Sequence, residues 1–345
     1  MKTILKLFLS LLVISSMGGS IVFSGQKNGS TSMQFLEISP SARANSVGDA
    51  YSVWASGAEA LFWNPAGLAL IQRPEFSATY TKWMFDASLG AFSCGLSLGN
   101  FGAVGMQIQY VSYGANDEAI VGGAYDNALP YAYLTGRQFT PYSYAAGLTY
   151  AKRLTNNFST GITVKYAHES LYDKNTVAVD MPDGTTQTVN TFGDVILFDV
   201  GMRYNTGYRT LQVAAAVQNF GPTIEYATKS DKTPAPMMFR VGIAGDILGS
   251  NSLLYNTEGS RLGVAMDLFH ANDVGQHIHF GMEYEYASTI SLRIGYKTNY
   301  ETEGFTFGAG VHQMISTIHV SFDYSYGSTT LVVGNIHRIS LGVGL

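Results

Sequence analysis

The sequence predicts an all-β protein: a transmembrane antiparallel β-barrel of about fourteen strands, with a short helical plug at its N-terminal end. From residue 74 onward, apolar side chains alternate with small or polar ones, as they do in strands whose two faces meet different surroundings. The alternating segments run to roughly ten residues, the length that crosses a bilayer at a tilt, whereas strands of globular proteins have ~5–6. Tyrosine and phenylalanine stand at the ends of the apolar faces, as in an interfacial aromatic girdle.

The amino-acid composition argues against several classes of protein. Charged residues make up 13% of the 345 residues, against ~25% in ordinary soluble domains. The chain is too apolar and too aromatic to be disordered. A net charge of −5 without basic clusters argues against nucleic-acid binding. A single cysteine excludes an internal disulfide and a Cys-rich zinc site.

Residues 1–24 are expected to be a secretory signal peptide. Lys2 and Lys6 accompany a short apolar stretch that runs from residue 4 to residue 14 and then gives way to Ser and Gly. This stretch is too short for a spanning helix, which needs ~20 apolar residues. Cleavage is expected near Ser24, and the one cysteine, Cys94, lies too far away to make the chain a lipoprotein.

Residues 25–73 do not alternate and are predicted to be a plug or hatch segment. Short helices are expected at 42–52 and 57–62, the second stopped by Pro65 and Gly67. The segment carries charges that cannot face hydrocarbon, namely Arg43, Asp49 and Glu59. A polar barrel interior suits them, and a periplasmic tail is the alternative.

Residues 74–345 form the predicted barrel. Along one of its strands the apolar side chains are Ile278, Phe280, Met282, Tyr284 and Tyr286, and those between them are His279, Gly281, Glu283 and Glu285. A soluble β-sandwich also alternates. The strand lengths, the aromatic ends and a C-terminus inside a strand favour the barrel.

The connections set the predicted orientation. Even-numbered connections are mostly tight, and the odd-numbered ones include long stretches at 113–139, 168–191, 220–236 and 327–336. Outer-membrane barrels have short periplasmic turns and long outer loops. Both termini are therefore expected on the periplasmic side of a Gram-negative outer membrane.

Charged side chains on the polar strand faces are expected to line the lumen, because an Arg or Lys facing mid-bilayer lipid costs ~2–4 kcal/mol. They are Asp199, Arg203, Arg240, Glu283, Glu285, Arg293, Lys297, Asp323 and Arg338. We expect them to form a charge ladder that holds the barrel and its plug together. His279, His312 and His319 share this parity, but lumen lining explains them without a metal. We expect no cofactor and no enzymatic activity.

Residues 41–67 resemble the N-terminal signature of the PorV/PorQ family, nearer to PorV, whose members are FadL-like outer-membrane barrels of fourteen strands. The resemblance lies in Ser-Ala-Arg, then Val-Gly-Asp-Ala, then Ala-Glu-Ala-Leu-Phe-Trp-Asn-Pro-Ala-Gly, which ends in the plug motif Asn64, Pro65, Ala66 and Gly67. It implies a docking role in type IX secretion and surface attachment, with secretion-machinery or cargo proteins as partners besides membrane lipid. The wider FadL-like relation implies instead a passive channel with a hydrophobic ligand in its lumen.

The outer loops offer a protein-binding surface. Residues 113–139 hold Tyr125, Tyr131, Tyr133 and Phe139 among Gly and Asn, a composition suited to protein contact. Residues 177–189 contain Asp-Gly between alternating residues, which predicts a hairpin. The alternative is a loop lid that packs only on itself.

Overall fold

Fourteen antiparallel strands close into a barrel in the computed structural model, which describes residues 29–122, 131–180, 185–226, 232–300, 302–329 and 334–345. Each strand pairs with its neighbours in sequence, and the first strand pairs with the last along residues 75–82 and 337–344. The predicted fold class is thereby confirmed. The strands are β1 (Glu75–Lys82), β2 (Ser88–Ser97), β3 (Ala103–Ser112), β4 (Tyr142–Arg153), β5 (Phe158–Ser170), β6 (Phe192–Asn205), β7 (Gln212–Phe220), β8 (Met238–Gly249), β9 (Ser260–Ala271), β10 (Gln276–Tyr286), β11 (Ile290–Lys297), β12 (Glu303–Ile315), β13 (Ile318–Thr329) and β14 (Ile336–Gly344).

The two faces of the wall differ as the alternation predicts. Outward side chains are apolar and exposed, for example Leu148 at 67% and Leu292 at 57%. Inward side chains are small, polar or charged and almost fully buried, for example Thr163, Glu283 and Ser325 at 0%. A hydrocarbon-facing exterior and a polar interior are the two surfaces of an outer-membrane barrel. Within the described ranges, no helix is both long and apolar enough to cross a membrane.

Short helices form the N-terminal segment, by which we mean residues 29–73. They are one α-helix, α1 (Ala42–Ser46), and three 3₁₀ helices, Gln34–Glu37, Gly57–Phe62 and Pro65–Leu70. A further 3₁₀ turn, Gly99–Phe101, connects β2 to β3. The predicted helix at 42–52 was too long, because Gly48 and Asp49 adopt left-handed backbone conformations that end it. Pro65 does not stop the second helix but begins the third, with Asn64 as its N-cap.

The N-terminal segment runs through the lumen from one end of the barrel to the other. At its start, the backbone N–H of Ser32 donates to the carbonyl of Pro234, in the connection between β7 and β8. At its end, the carbonyl of Pro74 accepts a hydrogen bond from the N–H of Leu345. The first and last described residues therefore lie at opposite ends of the barrel. Only one of these two residues can lie on the periplasmic side; the N-terminus itself, which the sequence predicts to be there together with the C-terminus, lies outside the described residues.

Two of the odd-numbered connections carry β-hairpins. Asn116–Gly122 pairs with Tyr131–Phe139, and Thr176–Asp180 pairs with Thr186–Asn190, as the alternation around residue 183 predicted. Two shorter pairings lie elsewhere, between Ile224–Glu225 and Lys232–Thr233, and between Tyr255–Asn256 and the end of β8. The predicted signal peptide, Tyr125 and the Asp183-Gly184 turn lie outside the described residues.

Cysteine labelling tests the orientation of the barrel. In a Cys94→Ser background, we expect a membrane-impermeant maleimide to label Asn116→Cys and Ser30→Cys on intact cells, because both lie at the end of the barrel that carries the long loops. Asn156→Cys, in the tight turn between β4 and β5, serves as the control and should react only after the cells are opened. The reverse labelling pattern would show that the orientation is wrong.

Candidate functional site

Inward-facing glycines let the N-terminal segment lie directly against the barrel wall. A Cβ built on Gly295 of β11 would lie 1.9 Å from the backbone nitrogen of Gly48. On the opposite side of the lumen, a Cβ on Gly161 of β5 would lie 2.5 Å from the carbonyl carbon of Pro65. Side chains at these positions would hold the two backbones apart. Sequence reasoning missed this contact, although glycine at an inward position of an alternating strand was its visible signal.

The Asn-Pro-Ala-Gly motif docks the segment on β5 and β6. The side-chain amide of Asn64 donates to the backbone carbonyl of Met202 at 3.0 Å. Its carbonyl oxygen accepts from the N–H of Ala66 at 3.1 Å, which starts the helical turn at Pro65. Position 67 requires a glycine, because a Cβ there would lie 2.2 Å from the carbonyl oxygen of Ala55. The motif thus shapes the segment and attaches it to the wall.

Glu283 is the centre of the largest charge cluster inside the barrel. Arg43 of the segment binds it at 3.0 Å, and Arg293 of the neighbouring strand binds it at 2.6 Å. Arg261 also pairs with it, and Arg293 continues to Asp323 at 2.5 Å. The Glu283 side chain is 1% exposed, and its buried charge is shared among three arginines, one of which comes from the segment.

Three more predicted lumen charges contact the segment. Lys297 binds Asp49 at 2.6 Å. Arg338 donates to the carbonyl of Ser39 at 3.0 Å, and Arg203 donates to that of Ala55 at 3.3 Å. Charged side chains of the wall therefore hold the segment at several levels of the lumen.

The remaining predicted charges act within the wall. Asp199 pairs with Lys165 at 2.9 Å, and Glu285 pairs with Arg261 at 3.2 Å. Arg240 donates to the side chain of Gln218 at 3.2 Å. These contacts link side chains of neighbouring strands, so the nine predicted side chains lie in several clusters rather than at one site.

Asp267 is a contact that the sequence reasoning missed. Its carboxylate is fully buried and accepts hydrogen bonds from the backbone N–H groups of Tyr51 and Ser52, at 3.1 and 2.9 Å, and from the Ser52 hydroxyl. These hydrogen bonds satisfy backbone N–H groups of the turn that follows α1, which have no partner within a helix. One acidic residue on an alternating strand gave no signal of this role.

A cavity of about 870 Å³ lies at the end of the lumen below the odd-numbered connections, and we call it the vestibule. Its lining includes residues 31–35 and 37–39 of the N-terminal segment. Wall and loop side chains complete it: Asp49, Trp83, Tyr113, Pro141, Glu169, Leu171, Tyr226, Arg240, Phe269, His279, Lys297, Tyr300, Thr302, Glu303 and Arg338. The lining is aromatic and charged, so the vestibule suits a ligand with both apolar and ionic groups.

Glu37 has an unusual protonation state for a carboxyl group. Burial, followed by the neighbouring carboxylate of Asp273, raises the pKa of Glu37 from 4.5 to about 7. The nearby charge of Arg240 opposes this shift. Since the carboxyl is only partly enclosed beside the vestibule, it can gain or lose its proton near neutral pH.

The histidines that share the polar parity contact other side chains of the lumen. In the part of the chain that the structure describes, no group of three or more His, Cys, Asp or Glu side chains is placed to hold a metal ion. His279 instead shares a 3.0 Å hydrogen bond with the Tyr300 hydroxyl, and His312 lies 3.2 Å from Asp323.

Comparison with known proteins identifies the family. The sequence model of the type IX secretion system protein PorV matches residues 24–266. The chain belongs to the PorV family. A comparison with curated proteins gave no match. PorV-family membership and the barrel fold indicate the outer membrane, and the family is a secretion-associated one rather than an enzyme class.

Solved structures support the fold of this PorV-family chain. The toluene transporter TodX of Pseudomonas putida is similar with a TM-score of 0.53 and 11% identity, over 93% of this chain and 98% of TodX. The monoaromatic hydrocarbon channel CymD is similar with a TM-score of 0.50 and 10% identity, over 85% of this chain and 93% of CymD. At such identities the likeness shows a FadL-like barrel fold.

Adding one methyl group at the wall should loosen the segment. In Gly295→Ala the new Cβ would overlap the backbone of Gly48, so we expect a loss of about 1–3 kcal/mol in the free energy of unfolding. Urea unfolding in detergent measures it, and trypsin cleavage after Arg43 should become faster.

The matched control is Gly90→Ala, because a Cβ at Gly90 has no atom within 4 Å. It should leave stability and cleavage unchanged. Equal behaviour of the two variants would mean that the close backbone contact does not hold the segment.

Replacing Glu37 should change how stability depends on pH. Because the folded state holds the proton up to about pH 7 and the unfolded state releases it near 4.5, stability falls as pH rises between these values. Glu37→Gln removes this loss, so its urea midpoint should exceed that of the wild type at about pH 8 and match it at about pH 4. Glu258→Gln, an exposed control, should track the wild type, and the same behaviour of Glu37→Gln would contradict the shifted pKa.

Proposed function

We propose that this barrel is a docking component of type IX secretion, which binds secretion-machinery or cargo proteins through its long loops and catalyses no reaction. PorV-family membership carries the proposal. The resemblance in residues 41–67 supports the same role, and the structure adds a loop surface suited to it.

The long loops support one another at the proposed docking surface. Arg137 of the first hairpin binds Asp173 in the next long connection at 2.9 Å. The rings of Phe139 and Tyr172 lie 4.9 Å apart, and the Tyr172 hydroxyl donates to Glu118. Hydrogen bonds from Thr135 and Tyr172 lower the pKa of Glu118, so this loop carboxyl stays ionised.

The surface also exposes apolar side chains. On the first hairpin, Leu134 is 67% exposed and Tyr133 is 49% exposed. Loops that are already held together by non-covalent contacts lose little conformational freedom when a partner binds, and exposed apolar side chains supply contact area. This combination favours protein docking over a lid that packs only on itself.

The alternative, a passive channel for hydrophobic molecules, has less support. The vestibule could admit a ligand, but the N-terminal segment packs against opposite walls below it, through Gly48 with Gly295 and Pro65 with Gly161. A solute that passed along the lumen would have to displace this segment and break ion pairs such as Arg43 with Glu283. We therefore place ligand contact in the vestibule rather than along a continuous pore.

A point substitution tests the docking surface. Leu134→Asp places a charge on the exposed hairpin, so we expect recovery of secretion components and cargo to fall at least about tenfold when the tagged barrel is purified from native membranes. The barrel should still fold, which heat-dependent migration in a denaturing gel checks.

The control is Leu254→Asp, an exposed leucine at the other end of the barrel (49% exposed). It should leave partner recovery unchanged. If Leu134→Asp recovers as much partner as the wild type, the hairpin is not the docking surface; if the wild type recovers no secretion component, the secretion role itself is wrong.

A further inference from the structure

Two carboxyl groups meet near the start of the N-terminal segment. Glu37 ends the first 3₁₀ helix of the segment, and Asp273 lies in the connection between β9 and β10. Asp273 is 2% exposed, and a hydrogen bond joins the two side chains. Neither Glu37 Oε1 nor Asp273 Oδ1 has any other hydrogen-bond partner in the described parts of the chain. Two carboxylates cannot hydrogen-bond to each other, so one of the two groups carries a proton.

Asp273 also fixes the start of the segment. Its other oxygen accepts a hydrogen bond from the Thr31 hydroxyl at 2.5 Å. The next residue, Ser32, donates its backbone N–H to the carbonyl of Pro234 at 3.0 Å. Residues 31–37 are thus attached to two connections at the loop end of the barrel, the one between β7 and β8 and the one between β9 and β10.

Two neighbouring groups set the charge of Glu37. Besides burial, the carboxylate of Asp273 favours its protonated form, and the guanidinium of Arg240 in β8 favours its ionised form. Arg240 itself donates to Gln218 and lies 4.4 Å from the ring centre of Phe269. The other titratable groups around the two cavities that Glu37 lines make contacts of their own: Lys165 with Asp199, Glu169 with Tyr226, Lys297 with Asp49 and Glu303, His279 with Tyr300, Tyr113 with Ser143, and Arg338 with the carbonyl of Ser39.

We propose that Glu37 and Asp273 form a proton-controlled latch for the start of the N-terminal segment. With Glu37 protonated, the pair holds residues 31–37 on the connection between β9 and β10. When Glu37 is ionised, two like charges face each other in a buried site and the hydrogen bond between them is lost. Residues 31–37 then loosen, while the segment beyond them stays attached through Arg43 and Asn64.

The latch loosens as the pH rises. The pKa of Glu37 is about 7 in the latched form and returns to its usual 4.5 once the carboxyl is released. The latched form therefore loses stability between about pH 4.5 and pH 7 and keeps the full loss above that range. Because residues 31–35 and 37–39 line the vestibule, part of the vestibule wall is fixed in acid and more mobile at and above neutral pH. This latch does not depend on the secretion role.

Hydrogen exchange of the full chain in detergent tests the latch, read by mass spectrometry on a peptide that spans residues 31–38. In this peptide the backbone N–H groups of Ser32, Leu36 and Ile38 donate to carbonyl groups. After correction for the intrinsic exchange rate, we expect their protection to fall at least about tenfold from pH 5 to pH 8. A peptide that contains residues 64–67 should keep its protection, because the rest of the segment stays docked.

Variants assign the change to the two carboxyl groups. Glu37→Gln resembles the protonated side chain and should keep the acid level of protection at pH 8. Asp273→Asn removes the opposing charge, so its protection should fall less than that of the wild type; it also covers the case in which Glu37→Gln does not fold. The exposed control Glu258→Gln should behave like the wild type.

Three results would overturn the proposal. The first is equal protection of residues 31–38 at pH 5 and pH 8 in the wild type. The second is a fall as large as that of the wild type in folded Glu37→Gln or in folded Asp273→Asn. The third is an equal fall in the peptide that contains residues 64–67, which would show that the whole segment loosens and not its start.

Discussion

The structure depends on the pairing of charges inside a closed wall. An inward side chain of this barrel is cut off from bulk water by the wall and the N-terminal segment, so each charge there needs a partner. The wall does not supply all of them. Arg43 and Asp49 come from the segment and bind Glu283 and Lys297 of the wall. The segment is therefore part of the barrel interior's electrostatic balance, because it supplies one of the partners of Glu283 and one of the partners of Lys297.

Much of the fold follows from period-two alternation, because hydrocarbon and a polar lumen impose opposite demands on successive residues. That is why the strand count and the polar interior could be predicted without a structure. The helices of the N-terminal segment could not, since its backbone is shaped by contacts with the wall. The Gly48–Asp49 turn that ends α1 early lies against Gly295, which is almost 250 residues away in sequence.

The candidate site was only partly visible for the same reason. The alternation predicted that Glu283, Arg293 and Lys297 lie on the polar face. It could not show which charged groups form ion pairs, or which backbone groups donate hydrogen bonds to Asp267. The path of the segment was also hidden. The charges of residues 29–73 predict that this segment lies in a polar interior. Only the three-dimensional contacts show that the segment begins under the long loops and ends beside Leu345.

This path bears on how the barrel can work. A segment that crosses the whole lumen, with its backbone against glycines of the wall and with ion pairs to charged side chains of the wall, is not a hatch that moves aside at low cost. Breaking the Asp49–Lys297 pair would leave the buried Asp49 carboxylate without its cation, at a cost of about 3–5 kcal/mol, and Arg43 would lose its carboxylate partner Glu283. Glycine contacts at Gly161 and Gly295 would be lost in addition. With the segment held in the lumen in this way, the vestibule and the loops above it are the surfaces on which the docking role proposed above depends.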